Sequence, residues 1–257
     1  MSKRSYHPED YWSEVGQRIA NREDGKNVIA GDDEPYYRYK RKRFLKLLNK
    51  IDFNNKSVIE LGSGPGGNLL EICNQSPVRL VGVDISEQML ALARNKVPEY
   101  VELVKTDGTH LTFADREFEI AFTATVLQHN TDEKMLKEIM GELARICSDK
   151  VYLFERIEKS LKGDELCYGR PVKYYSEIME SHGFRLNSKE FINIKVSYYV
   201  SGAIRKILNP AMRKEGEPLN RVSILLQNLT LPITSLLDRV FRSSTNIAKL
   251  EFERINN

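Results

Sequence analysis

The strongest structural signal in this chain is Val58-Ile59-Glu60-Leu61-Gly62-Ser63-Gly64-Pro65-Gly66-Gly67-Asn68. Its apolar beginning is typical of a short buried strand, and the glycines after it permit a tight turn into a helix. Such a turn brings backbone amides close to a ligand at the N-terminus of the helix. The stretch therefore predicts a β–α unit that binds a ligand at its turn.

Strand-like and helix-like segments alternate along the rest of the chain. Ser86 and Thr131 are predicted N-caps of two of the helices, and a third helix follows Pro171 and stops at Gly183. Strands separated by helices form βαβ units, which give a parallel sheet with helices on both faces. The predicted strands are 57–61, 79–84, 100–104, 118–123, 151–154, 184–195 and 247–253.

This pattern predicts an α/β protein with a doubly wound, seven-stranded, mostly parallel, Rossmann-like sheet whose last strand is antiparallel. The alternation of Ile247-Ala248-Lys249-Leu250-Glu251-Phe252-Glu253 is typical of a half-exposed edge strand. The predicted parts are an N-terminal arm and lid helix (1–50), a ligand-binding core (51–196), a helical insertion (197–245) and a final edge strand (246–257).

Composition favours a globular protein without a nucleic-acid partner. Hydrophobic residues make up 41% of the chain and charged residues 29%, and the net charge is only +3. The three cysteines do not form a disulfide or zinc pattern, and no stretch has the length of a secretory signal or a membrane span. We therefore expect a cytoplasmic protein without a bound metal.

Two carboxylates near the glycine turn indicate the kind of ligand. Asp84 ends the second predicted strand, where a carboxylate can accept hydrogen bonds from both hydroxyls of a ribose. Glu60 lies two residues before the first glycine, and an acid there would repel a pyrophosphate. The pair favours a positively charged nucleoside over a dinucleotide.

With these residues the chain resembles the class I S-adenosylmethionine-dependent methyltransferases. The similarity covers about residues 57–157 and implies S-adenosylmethionine as the cofactor. The resemblance implies that the glycine loop wraps the methionine part, that the acid after strand two holds the ribose, and that segments after strands two, three and four border the adenine and the reactive methyl. The residues that match are Glu60, Gly62, Ser63, Gly64, Gly66, Asp84, Ile85, Met89, Thr106, Asp107, Gly108, Thr125 and Leu127. Two of them keep alternatives, since Asp107 also fits a simple turn and Met89 also fits a helix core.

His129 is the candidate catalytic residue. It closes the segment that leaves strand four at the carboxyl edge of the sheet, where it would accept a proton from an acceptor hydroxyl. The alternative is a residue of the pocket wall. From the N-terminal part, the candidate lid residues are Tyr11, Trp12, Tyr36 and Tyr37, with packing of the arm as the alternative for each. Arg38 is a candidate partner of the cofactor carboxylate, whereas the run from Lys40 to Arg43 is interpreted as a solvated helix face.

The leading functional hypothesis is methyl transfer to a small molecule or a glycan, on oxygen rather than nitrogen. The alternatives are a nicotinamide-dependent oxidoreductase, a catalytically silent binding protein of the same fold, and methylation of RNA or protein. For the insertion at 197–245 three roles stay open: a cover over the acceptor pocket, a homodimer face, and a peripheral contact with a membrane surface, because cations accompany its apolar residues.

Overall fold

A computed structural model describes residues 7–22, 34–209 and 213–255. Among these residues the helices are α1 (Pro8–Ala20), α2 (Pro35–Leu48), α3 (Gly67–Cys73), α4 (Glu87–Arg94), α5 (Glu133–Ile146), α6 (Val172–Ser181), α7 (Lys195–Leu208) and α8 (Arg221–Val240). The strands are β1 (Ser57–Leu61), β2 (Arg79–Asp84), β3 (Glu102–Lys105), β4 (Phe118–Ala124), β5 (Cys147–Ile157), β6 (Lys162–Asp164), β7 (Cys167–Gly169), β8 (Phe184–Phe191) and β9 (Asn246–Arg254).

The main sheet has seven strands in the order β3-β2-β1-β4-β5-β9-β8. Strands β1 to β5 pair in parallel, and β9 is antiparallel to both of its neighbours. The predicted doubly wound sheet with an antiparallel last strand is confirmed. The prediction that this strand lies at the edge is wrong, because β9 pairs on both sides and β8 forms the edge.

Several elements differ from those predicted. The N-terminal arm contains a helix, α1, which begins at Pro8 and has acids in its first turn. Asp132, not Thr131, caps α5, since its side chain accepts hydrogen bonds from the amides of Lys134 and Met135. The short hairpin β6–β7 was not predicted at all. The parts of the predicted arm, insertion and final strand at 1–6, 23–33, 210–212 and 256–257 lie outside the described residues.

Hydrophobic side chains cover both faces of the sheet. Helices α5 and α6 pack on one face, and α2 and α3 pack on the other. The strands between them are buried on both sides, as expected of a parallel sheet covered by helices. This arrangement leaves the carboxyl ends of β1, β2 and β4 as the place where loops meet, which is where ligands bind in such sheets.

The insertion forms a pair of helices, α7 and α8, and the side that they turn toward the protein is polar. Asp238 on α8 is buried and accepts hydrogen bonds from the amides of Val196 (2.6 Å) and Ser197 (3.3 Å) in the first turn of α7. It also accepts a bond from the Tyr39 hydroxyl of α2 (3.0 Å). Gln227 donates to the buried Glu34, which forms an ion pair with Arg205 at 2.9 Å. Polar bonds therefore hold the insertion to α2.

Across the described residues, no helix is long and apolar enough to cross a membrane.

Candidate functional site

The loop between β1 and α3 places backbone at the carboxyl edge of the sheet. Gly62, Gly64 and Gly66 all have positive φ, which glycine adopts without steric cost. A Cβ atom on Gly62 would collide with Val126, whereas a Cβ atom on Gly64 would meet nothing within 4 Å. The loop thus needs glycine at 62 for close packing, and at 64 it borders open space.

Asp84 fixes the shape of this loop from the end of β2. Its carboxylate accepts hydrogen bonds from the amides of Gly64 (2.8 Å) and Ser86 (2.9 Å). Burial raises the pKa of Asp84, and these amide bonds counteract the rise because they favour the ionised form. The carboxylate holds the loop and still lines the cavity that the loop borders.

Glu60 lies buried beneath the loop. Its Oε1 accepts a hydrogen bond from Asn68 Nδ2 (2.5 Å), and burial raises its pKa to about 8. Arg41 from α2 donates to Asn68 Oδ1 and to the carbonyl of Gly67 (2.9 Å). Arg41 therefore ties α2 to the glycine turn, which corrects the interpretation of Lys40 to Arg43 as a solvated face.

The segment after β4 has a strained backbone that a buried acid holds in place. Thr125 has φ +62, a left-handed conformation that non-glycine residues rarely adopt. Glu155 of β5 is fully buried and accepts hydrogen bonds from the amides of Val126 (3.0 Å), Leu127 (3.1 Å) and Gln128 (3.0 Å). These amides begin a short 3-10 helix at Leu127–His129. Glu155 therefore sets the position of His129.

His129 lies in a directed chain of hydrogen bonds. The amide of Arg156 donates to Gln128 Oε1 (3.2 Å), Gln128 Nε2 lies 3.1 Å from His129 Nε2, and His129 Nδ1 lies 2.8 Å from the carbonyl of Leu166. A carbonyl only accepts, so Nδ1 carries the proton and Nε2 accepts from Gln128. Burial lowers the pKa of His129 to about 4, which keeps the ring neutral near pH 7.

One cavity of about 1080 Å³ joins these parts. It extends from the glycine loop and Asp84 to His129 and is roofed by residues of α1, α2 and α7. The sequence-predicted site residues that line it are Gly62, Ser63, Gly64, Asp84, Ile85, Met89, Thr106, Gly108, Thr125, Tyr37, Arg38 and His129.

Four predicted site residues do not line the cavity. Glu60 is buried beneath the loop, Gly66 is buried within it, and Leu127 belongs to the hydrophobic core. Asp107 is exposed, and its Oδ1 accepts hydrogen bonds from the amides of Thr109 (2.8 Å) and His110 (2.9 Å). Its side chain closes its own turn, as in the alternative considered for it.

The structure brings two further residues, Trp12 and Lys40, to the cavity beside His129 and Tyr37. The Trp12 ring meets His129 edge to face, with 5.0 Å between ring centroids. Lys40 also lines the cavity, with its ammonium 5.4 Å from the centre of the Tyr37 ring. Burial lowers the pKa of Lys40. A signal for α1 existed in Pro8, its acidic first turn and apolar residues at helical spacing.

The residues present fit S-adenosylmethionine. Among the described residues, the buried Ser63 Oγ has no hydrogen-bond partner, and Ser63 lines the cavity. Gly64 leaves room for a ligand against the loop. Asp84 lies where a ribose can reach its carboxylate. No group of three or more His, Cys, Asp or Glu side chains able to hold a metal occurs in the described part of the chain.

Comparison with known proteins finds similarity over the core of the chain. Residues 58–150 match the family described as a methyltransferase domain. Phosphoethanolamine N-methyltransferase 2 of Caenorhabditis elegans is 29% identical over 106 residues, which are 38% of this chain and 24% of that protein. A demethylmenaquinone methyltransferase of Bacteroides fragilis is 30% identical over 102 residues, 37% of this chain and 42% of that protein. The chain thus matches less than half of the length of each of these relatives.

A solved structure supports the same fold over nearly the whole chain. Magnesium protoporphyrin IX methyltransferase from Synechocystis PCC 6803, crystallised with S-adenosylmethionine, superposes with a TM-score of 0.59 at 14% identity. The match covers 96% of this chain and 94% of that one. In its motifs, its strand order and the matched residues 58–150, the chain is similar to class I S-adenosylmethionine-dependent methyltransferases.

Proposed function

We propose that this chain transfers a methyl group from S-adenosylmethionine to an oxygen atom of a small molecule or glycan. The supporting observation is the single cavity that joins the glycine loop and Asp84 to His129. Its volume, about 1080 Å³, is slightly above the range of about 300–1,000 Å³ typical of small-molecule pockets. It therefore has room for a nucleoside cofactor and a second small molecule.

The cavity divides into two parts by the chemistry of its lining. Gly62 to Gly64, Asp84 and Ile85 form the cofactor part. Trp12, Lys40 and His129 lie at the other part, where α1 and α7 form a roof. A roofed cavity suits a small acceptor better than a folded protein or an RNA helix. The Lys40 ammonium there favours an acceptor that carries an anionic group.

The protein contributes mainly position to this reaction. When bound, S-adenosylmethionine supplies the methyl group on a positively charged sulfur. The glycine loop and Asp84 would hold the donor in position for the transfer. His129 is the proposed acceptor of the hydroxyl proton, through the Nε2 lone pair that Gln128 occupies at rest. Gln128 must release Nε2 before the ring can take the proton.

Label transfer tests the proposal. The chain is incubated with S-adenosylmethionine labelled in its methyl group and with separate small-metabolite, protein and RNA fractions of a cell extract. We expect label in the small-metabolite fraction. Label in protein or RNA alone would contradict the proposed acceptor class, and binding of S-adenosylmethionine without any transfer would indicate a silent protein. Calorimetry with NAD is expected to show no binding, which excludes the oxidoreductase.

His129→Ala tests the proposed base. If His129 accepts the proton, turnover falls about 10²-fold while the affinity for S-adenosylhomocysteine changes little, because the ring acts on the acceptor. Single-turnover kinetics and calorimetry measure the two effects. His182→Ala is the control, since His182 is exposed and does not line the cavity. A near-normal rate for His129→Ala would indicate that the ring lines the cavity without accepting a proton.

Nitrogen is the second candidate for the methylated atom. The low pKa of His129 and its occupied Nε2 suit an amine, which attacks through its own lone pair without a strong base. The name of the Caenorhabditis elegans relative, an N-methyltransferase, points the same way. A normal rate in His129→Ala together with a methylamine product would favour this candidate over oxygen.

We also propose that the protein works in the cytoplasm. Cys73, Cys147 and Cys167 are all free thiols. A reducing compartment preserves such thiols.

A further inference from the structure

Helix α8 is polar toward the protein and apolar toward solvent. The side chains that it buries include Ser223, Gln227, Thr234 and Asp238. A set of aliphatic side chains, here named the apolar stripe, is between 37% and 72% exposed. Its members are Val222, Leu225, Leu226, Leu229, Ile233, Leu236, Leu237 and Val240. This order is the reverse of that in an ordinary surface helix, which turns its apolar side to the core.

The apolar stripe is continuous along α8. Its members recur at three or four residues, so at 100° per residue they fall within an arc of about 120°. The helix has 20 residues and is about 30 Å long. Single exposed apolar residues are common, but a continuous stripe of this length indicates a binding surface.

The charge around the stripe is of one sign. The described part of the insertion, 197–209 and 213–245, has five exposed charged side chains, and all are cations: Lys206, Lys214, Arg221, Arg239 and Arg242. The acids in the same residues are Asp238, which is buried, and Glu215 and Glu217, which are half-buried. Arg221 and Arg239 lie on the same side of α8, about 40° beyond the edge of the stripe.

The positive charge beside the stripe distinguishes between two possible binding partners, a second copy of the chain and a lipid surface. A second copy of the chain, joined through the same face by twofold symmetry, would bring the same cations together across the contact. An anionic lipid surface offers acyl chains to the stripe and phosphates to the cations beside it. We propose that the apolar stripe of α8 docks this chain on the surface of an anionic lipid bilayer, with Arg221 and Arg239 at the level of the phosphates.

Docking leaves the fold unchanged. The polar side of α8 stays bonded to α2 and α7 through Asp238 and Gln227, so only side chains that already face solvent enter the lipid. The helix pair α7–α8 also borders the cavity, because Tyr198 of α7 lines it. The next residue, Tyr199, is exposed to solvent. The proposal does not depend on the identity of the methyl acceptor.

Vesicle flotation with the full chain tests the proposal. We expect the chain to float with phosphatidylglycerol–phosphatidylcholine vesicles, much less with pure phosphatidylcholine, and less again in 0.5 M NaCl. The double variant Leu229→Gln, Ile233→Gln is expected to lower the partition constant about 10²-fold, since each side chain loses its apolar burial. Arg221→Gln with Arg239→Gln is expected to lower it about fivefold per charge.

Matched variants elsewhere on the surface control for general effects. Val78→Gln with Leu161→Gln removes exposed apolar side chains, and Lys134→Gln with Lys173→Gln removes exposed cations, all outside the insertion. Both are expected to float like the parent, and circular dichroism checks that every variant is folded. The proposal is overturned if the parent does not float with anionic vesicles or if the control pairs lose binding equally. It is also overturned if light scattering shows a dimer that Leu229→Gln, Ile233→Gln dissociates.

Discussion

Asp84→Ala is expected to weaken the binding of S-adenosylhomocysteine by about tenfold to a hundredfold, which corresponds to about 1–3 kcal/mol. Two losses combine. The variant removes the carboxylate that we expect to accept hydrogen bonds from the ribose, and it leaves the amides of Gly64 and Ser86 without their acceptor. The loop then loses the contact that fixes its shape. Isothermal titration calorimetry measures the change in affinity.

Two further variants separate these losses. Asp84→Asn keeps one acceptor oxygen, so its affinity is expected to lie between those of the parent and Asp84→Ala. Glu87→Ala is the control, because Glu87 is an exposed carboxylate in the first turn of α4 and does not line the cavity. Unchanged affinity in Asp84→Ala would remove Asp84 from the cofactor site.

Glu155→Gln is expected to lower turnover about 10²-fold and the free energy of unfolding by about 1–3 kcal/mol. The carboxylate accepts three backbone amides, and the amide group of glutamine would turn a donor toward at least one of them. The strained turn at Thr125 then relaxes and His129 moves. Affinity for S-adenosylhomocysteine is expected to fall less than turnover, because Glu155 acts through the segment beside the acceptor.

The burial of Glu155 also predicts how the free energy of unfolding depends on pH. Burial raises its pKa from 4.5 to about 7, so between these values the folded chain binds more protons than the unfolded chain. This contribution to the free energy of unfolding is present at low pH and is lost as the pH rises through about 7, at up to about 1.4 kcal/mol per pH unit.

Thermal unfolding between pH 5 and pH 8 measures this contribution. We expect the loss of stability with rising pH to be smaller in Glu155→Gln, which cannot titrate at this position. Glu253→Gln, a half-buried carboxyl on β9, is the control and is expected to follow the parent. Parallel pH curves for the parent and Glu155→Gln would contradict the role of burial, and normal turnover would contradict the positioning role.

The sequence predicts well those parts of the site whose contacts lie within a few residues of each other along the chain. Gly62 and Gly64 occur within one turn, and their positive φ angles follow from the turn that their spacing requires. Asp84 and Ser86 are fixed by the end of one strand and the start of the next helix, and Ser86 caps that helix as expected. Contacts between residues that are close along the chain can therefore be predicted from the pattern of residue types.

The part that sequence missed depends on distant contacts. Glu155 appears in the sequence only as the last acid of a buried strand, and its role depends on amides 27–29 residues away. Trp12 reaches His129 because α1 packs on α4 through Val15, Ile19 and Met89. Alternation in β9 predicted a strand correctly but carried no information about which strands lie beside it.

The position of β9 has a consequence for how the chain reaches its native state. Strands β5 and β8 precede it in the sequence, yet each of them pairs with β9 rather than with the other. While the chain is being synthesised, β8 cannot pair with the main sheet until residues 246–254 leave the ribosome and fill the gap between β5 and β8. Closing that gap late, through contacts between distant residues, favours a slow final step of folding in which chaperones have time to bind.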